Sequence, residues 1–276
     1  MLLKNLIKNL PKEKKKIIVR GLSINSKQIK KGFIFFAIKG NKLNGEKYIK
    51  EAIKNGAIAI ICSENCKYFD KKVPIIKTSN IRYFLSKICS KFYKSKPKNI
   101  IAVTGTNGKT SVSDLFYQIL ELNNIPVASV GTLGIKYKKK IIKSNLTSPD
   151  TIMLHQALEK IKKNKIDNVI IEASSHGLHQ KRISHLNLIA GIFTNFSQDH
   201  LDYHYSMHSY LNSKLSLFKN ILSPKKVVIS DKFIKEYSLL KKISSKKKLR
   251  LIEIGKIKEK LINYKKLKPF NDFQIK

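Results

Sequence analysis

The run Ile100-Ile101-Ala102-Val103-Thr104-Gly105-Thr106-Asn107-Gly108-Lys109-Thr110 constrains this chain more than any other segment. An apolar strand breaks into a glycine turn and ends in Gly-Lys-Thr where a helix starts. Gly105 and Gly108 lack a Cβ, so the backbone can curl with its N–H groups inward, and the following helix adds its positive dipole end. The pattern reads as a phosphate-binding loop, with Lys109 on the outer phosphates of a nucleoside triphosphate and the Thr110 hydroxyl on Mg²⁺. Its two glycines stand closer together than in the commonest form of such loops.

The surroundings agree with a doubly covered α/β sheet. From residue 99 onward strand patterns at 99–104, 126–130, 168–173, 187–194, 225–230 and 248–254 alternate with helix patterns at 110–123, 151–164, 206–220 and 231–242. Near-continuous apolar strands such as Val169-Ile170-Ile171 imply burial on both faces, hence a mainly parallel sheet. In such sheets ligands sit beyond the carboxyl ends of the strands. Residues 1–95 read as a smaller α/β domain, with strands at 17–20, 33–38, 57–61 and 73–76 and helices at 45–55 and 81–93. The polar, proline-broken segment 94–98 serves as the linker, leaving 96–276 as the second domain.

The chain of 276 residues has 56 Lys and Arg against 18 Asp and Glu, a formal charge of +38. A basic face would suggest a polyanion partner. The lysines instead scatter through every element and accompany abundant Ile and Asn, which fits a drift toward AT-rich codons, so no specific nucleic-acid partner is expected. Cys62, Cys66 and Cys89 have no metal-ligand spacing and are expected to be reduced, which points to the cytoplasm. Residues 1–16 interrupt their apolar positions with lysines, and no apolar run is long enough to cross a membrane.

Two further segments bring chemistry to the strand ends. Strand 168–173 runs into Glu172-Ala173-Ser174-Ser175-His176-Gly177, and strand 187–194 into Asn195-Phe196-Ser197-Gln198-Asp199-His200-Leu201-Asp202-Tyr203-His204. Glu172 offers Mg²⁺ a hard oxygen beside the loop threonine. His200 is a softer donor, so on chemistry alone it is either a metal ligand or a capping or core histidine. His200, His204 and His208 recur every four residues, but Asp202 and Tyr203 suit a loop entering a helix better than a zinc face. Ser174 and Ser175 lack a Gly-x-Ser-x-Gly elbow, so substrate hydrogen bonding suits them better than nucleophilic attack.

These motifs, in this order and with the later Lys214, resemble the Mur ligases. The segments 22–27, 32–40 and 44–49 resemble that family's uridine-nucleotide domain, and the pattern is most similar to the branch that extends UDP-MurNAc-L-Ala-D-Glu by a third amino acid. The resemblance implies an N-terminal UDP-MurNAc-binding domain, a central ATPase domain and a C-terminal Rossmann-like ligase domain. It implies that Gly105, Thr106, Asn107, Gly108, Lys109 and Thr110 bind ATP. It implies two Mg²⁺ ions, with Thr110 and Glu172 on one, His200 on the other, and Lys214, as a carbamate, supporting the metals. Lys109, Lys214 and His200 would then be catalytic. Ser26, Thr147, Ser148, Ser174, Gln180 and Arg182 match positions that contact the UDP-sugar peptide, with Arg182 clamping an anionic oxygen. The family's usual Asp-Ser-Arg is Asn25-Ser26-Lys27 here, and Ser148 stands for a common threonine.

The implied reaction is amide formation through an acyl phosphate, with diaminopimelate or lysine as the incoming amino acid. The third domain's Asp-Asn-Pro-Arg-type motif is missing from these 276 residues. The expectation is therefore a chain that binds substrates without completing ligation, or one served by a separate polypeptide supplying that domain. Residues 256–276, rich in lysine, are expected to be a frayed end.

Overall fold

The computed structural model describes residues 1–8, 10–40, 43–138, 140–142 and 147–254. The 256–276 expectation lies outside these residues, as do Asn145 and Leu146. The chain divides into two compact units, Met1–Lys94 and Ser95–Lys276.

The first unit is built on four parallel strands in sequential order, β1 (Gly21–Ser23), β2 (Phe33–Phe36), β3 (Ala57–Ser63) and β4 (Ile75–Thr78). Three helices accompany them: α1 (Leu3–Leu6), α2 (Ile49–Lys54) and α3 (Ile81–Phe92). The β3 run Ala57-Ile58-Ala59-Ile60-Ile61 is buried or nearly so throughout, as a strand covered on both faces requires. Segment 17–20 is not the strand its β-branched residues suggest. Ile18 forms only an isolated bridge to Leu2, the Val19 N–H goes to the Met1 carbonyl, and ladder pairing to β2 begins at Gly21. All three cysteines are free thiols and buried.

The second unit holds an eight-stranded sheet ordered β12-β11-β10-β5-β9-β6-β7-β8. Its strands are β5 (Asn99–Thr104), β6 (Val127–Gly131), β7 (Gly134–Tyr137), β8 (Lys140–Ile142), β9 (Asn168–Glu172), β10 (Leu188–Phe193), β11 (Val227–Asp231) and β12 (Arg250–Ile254). All neighbours are parallel except β6 with β7 and β7 with β8. That antiparallel hairpin corrects the sequence reading, in which the Lys136–Lys140 region hides the alternation of Ile135, Tyr137 and Ile141. The helices are α4 (Lys109–Leu122), α5 (Thr151–Lys163), α6 (Ser175–His179), α7 (Leu201–His204), α8 (Met207–Ser216), which continues as a π-helical turn over Leu217–Ile221, and α9 (Tyr237–Lys246). Helix α9 starts later than the pattern at 231–242 suggests, because the Asp231 carboxylate accepts the Phe233 N–H and holds a turn there.

The connections place the site. β5 sits between β9 and β10, and the chain crosses from one side of it to the other between those two strands. That reversal opens a crevice at the carboxyl ends of β5, β9 and β10. The core behind it includes Ile100, Ala102, Val169, Ile171, Phe193 and Phe218, all buried.

His155 on α5 is fully buried, and burial pushes its imidazole down to about 3 from an ordinary value near 6.5. Between those values the unfolded chain binds a proton that the folded chain refuses, so this contribution to stability is intact above about pH 6.5 and is lost as pH falls toward 3. Urea unfolding at pH 7.5 and 5.0 is expected to differ by about 2 kcal/mol on this account, and His155→Leu to remove that part of the difference. An unchanged pH dependence in the variant would refute the assignment.

Candidate functional site

The loop after β5 is stitched to the exit of β10. Gly105 lies at φ +153°, and a Cβ there would overlap the Thr194 hydroxyl, so the close approach of the two loops requires glycine. The Thr106 N–H bonds to the Asn195 carbonyl at 2.9 Å and the Asn107 N–H to Asn195 Oδ1 at 2.9 Å, while Thr194 Oγ1 donates to the Asn107 carbonyl at 2.6 Å. Thr106 Oγ1 accepts the Ser197 N–H at 3.0 Å and lies 3.3 Å from the Tyr210 hydroxyl. Because Asn195 engages the Thr106 and Asn107 amides, the cradle for an anion narrows toward the start of α4, where Gly108 caps the helix in the left-handed region at φ +82°. Lys109 folds back over the loop, its Nζ donating to the carbonyls of Gly105 at 3.0 Å and Thr106 at 2.7 Å. Burial holds its ammonium below the ordinary lysine value, against the opposing pull of the Glu172 and Asp199 carboxylates.

Glu172, at the end of β9, is 1% exposed and gathers the other half of the site. Its carboxylate accepts the Thr110 hydroxyl at 2.9 Å, the Thr132 N–H at 2.9 Å and the Thr132 hydroxyl at 3.1 Å. Burial raises its pKa, and these three donors, with Lys109, pull it back. Thr132 Oγ1 lies 3.3 Å from Thr147 Oγ1. The Ser148 hydroxyl donates to the Glu172 main-chain carbonyl at 2.8 Å and lies 3.0 Å from Ser174 Oγ, while the Ser174 N–H donates back to Ser148 Oγ at 3.1 Å. Arg182 donates to the Ser148 carbonyl and, through its second nitrogen, to Gln180 Oε1 at 2.8 Å. The hydroxyls of Thr110, Thr132 and Thr147 around one carboxylate form a hard-oxygen donor set, which suits a hydrated Mg²⁺ beside a phosphate chain.

Lys214 of α8 lies beneath the loop. It is 1% exposed, donates to the Gly105 carbonyl at 2.6 Å and covers the Tyr210 ring at 4.4 Å. Burial, reinforced by the charge of Lys109, pushes its pKa down to about 7. His200 sits in the left-handed region at φ +53°, its Nε2 3.4 Å from Asp199 Oδ2 and its ring 4.9 Å from that of His176. No hydrogen bond or ion pair joins Lys214 or His200 to Glu172 among the described residues. Lys109 interacts electrostatically with both Glu172 and Lys214. Among the described residues no three His, Cys, Asp or Glu side chains form a metal-holding group. In the other unit, Ser26 Oγ donates to Glu51 Oε2 at 2.7 Å.

Three residues that sequence reasoning passed over belong to this arrangement. Thr132 follows β6 in a short turn with no motif of its own, Asn195 opens a run read for its histidines, and Tyr203 binds Gln180. Only the position of Thr132 just after a strand carried a usable signal.

The model of the Mur ligase middle domain matches residues 103–275, and that of the Mur ligase family, catalytic domain, matches residues 18–93. UDP-N-acetylmuramoyl-L-alanyl-D-glutamate--2,6-diaminopimelate ligase of Brucella melitensis is 37% identical over 215 residues, covering 78% of this chain and 44% of its own. The ligase of the same name from Rickettsia montanensis is 38% identical over 242 residues, covering 86% of this chain and 50% of its own. A solved structure of a ligase of that name superposes with a TM-score of 0.79 at 25% identity, over 92% of this chain and 52% of that one. The chain thus spans about half the length of the curated relatives it matches.

Proposed function

Because the chain belongs to the Mur ligase family, we propose that its second unit binds Mg-ATP and that the chain acts in the ATP-dependent extension of UDP-MurNAc-L-Ala-D-Glu by a third amino acid. The single observation that carries this reading is the convergence on Glu172 of Thr110 from the phosphate loop, Thr132 from the end of β6, and Ser148 from the segment matched to sugar-peptide contact. One buried glutamate joins the two sets, its carboxylate to the nucleotide side and its main-chain carbonyl to Ser148, as a phosphoryl transfer between those ligands needs. The relatives' names favour diaminopimelate over lysine as the added amino acid.

In this reading Gly108, Lys109 and Thr110 receive the phosphate chain, and Lys109 leaves the Gly105 and Thr106 carbonyls to neutralise its outer charge. Thr110 and Glu172 would hold a Mg²⁺, which would supply positive charge to offset that on the transferred group. His200 is assigned to a second ion. Arg182, steadied by Gln180, faces the anionic sugar-peptide with Thr147, Ser148 and Ser174, and Ser26 serves the uridine portion. Lys214 is assigned as a carbamate. A pKa near 7 leaves much of its amine neutral and nucleophilic at cellular pH, and the carbamate N–H retains a donor for the Gly105 carbonyl while its oxygens supply anionic charge. With ¹³C-bicarbonate, a carbamate resonance is expected in the wild type and absent in Lys214→Met; its presence in both would place the modification elsewhere.

Calorimetric titration of the 276-residue chain with UDP-MurNAc-L-Ala-D-Glu tests the reading. The wild type is expected to bind and Arg182→Ala to bind at least about tenfold more weakly, the effect of losing a charged hydrogen-bond donor. Equal affinities would remove Arg182 from the site, and no wild-type binding would remove the substrate assignment.

A further inference from the structure

Tyr203 has no part in the roles above, yet it links the histidine-rich turn to the substrate residues. It lies on α7, a single turn bracketed by His200 at φ +53° and Tyr205 at φ +60°. Two side-chain-bearing residues in the left-handed region mark a backbone held there by its surroundings. The turn lays the Tyr203 ring against His176, centroids 4.0 Å apart, with His204 at 4.8 Å and His179 at 5.5 Å. Its hydroxyl lies 3.0 Å from His179 Nδ1 and accepts from Gln180 Nε2 at 3.1 Å. Gln180 Oε1 accepts from Arg182, and Arg182 donates to the Ser148 carbonyl. A file of hydrogen bonds therefore runs from α7 through Gln180 and Arg182 to Ser148, which bonds to Glu172.

Resting on the reading that Gln180 and Arg182 hold the sugar-peptide, the geometry points to Tyr203 as a positioning residue for that clamp. A glutamine amide has a donor end and an acceptor end. With its nitrogen committed to the Tyr203 hydroxyl, its oxygen must face the guanidinium, and Arg182 is aimed before substrate arrives. Without the hydroxyl, Gln180 and Arg182 have to be ordered at the binding step, which weakens binding. The ring contacts alone need no hydroxyl, so phenylalanine separates packing from positioning.

Tyr203→Phe in the 276-residue chain is expected to bind UDP-MurNAc-L-Ala-D-Glu about 5- to 20-fold more weakly. Its melting temperature and its affinity for a non-hydrolysable ATP analogue are expected to stay at wild-type values. In a Gln180→Ala background the same substitution is expected to add less than about twofold, since the file is already broken. Wild-type sugar-peptide affinity in Tyr203→Phe, full additivity with Gln180→Ala, or a matching loss of ATP-analogue affinity or stability overturns the positioning role while leaving the functional reading in place. A wild-type chain that does not bind the sugar-peptide overturns both.

Discussion

Lys109→Ala is expected to weaken binding of a non-hydrolysable ATP analogue by about 100-fold, with little change in melting temperature. The stability expectation follows from what Lys109 holds. Among the described residues its ammonium hydrogen-bonds the loop carbonyls of Gly105 and Thr106, and the loop is kept in place independently by Asn195, Thr194 and Ser197. The binding expectation follows from its burial, because a partly desolvated cation meets phosphate oxygens with little competition from water. One charged hydrogen bond contributes about 1.5–3 kcal/mol, and the upper end corresponds to two decades in affinity. Titration calorimetry at fixed Mg²⁺ reads the effect. A loss below threefold would mean that the loop amides alone carry the phosphates.

Gly131→Ala is expected to remove most of the Mg²⁺ dependence of nucleotide binding, a loss of about 10- to 100-fold, from a position that contacts no ligand. A methyl group at Gly131 would occupy the place of the Glu172 carboxylate, overlapping Oε1. The end of a glutamate side chain can move, so the protein is expected to fold. Moving it breaks the bonds from Thr110 and Thr132, and with them the donor set on which the ion depends. The measurement compares analogue affinity with Mg²⁺ and with EDTA in the wild type and the variant. Equal Mg²⁺ enhancement in both would show that Glu172 is dispensable for the ion.

The phosphate loop, the parallel sheet around it and the position of Glu172 at a strand end were legible because each depends on local pattern: an apolar run, a glycine pair, and a carboxylate where the run stops. The hairpin of β7 and β8 was not, because lysines interrupt its apolar alternation and β8, exposed along its length, is held by pairing with β7 rather than by burial. The 17–20 segment misled for the opposite reason, since its β-branched residues promise a strand while the hydrogen bonds available there lead to the amino terminus and to Gly32. Asn195 and Thr132 act on partners distant in sequence, which no local spacing announces. Lys214 is the extreme case. Among so many lysines, neither its burial nor its contact with Gly105, 109 residues away, leaves a trace in composition.

The central claim is that Thr110 and Glu172 hold a divalent ion against the phosphate chain of a nucleotide. Crystals grown with Mn²⁺ and a non-hydrolysable ATP analogue, read by anomalous scattering, test it directly. The account predicts a metal peak about 2.2 Å from Thr110 Oγ1, ligated by Glu172 directly or through one water, and touching the outer phosphates beside Lys109. A nucleotide whose metal lies away from both residues would contradict it.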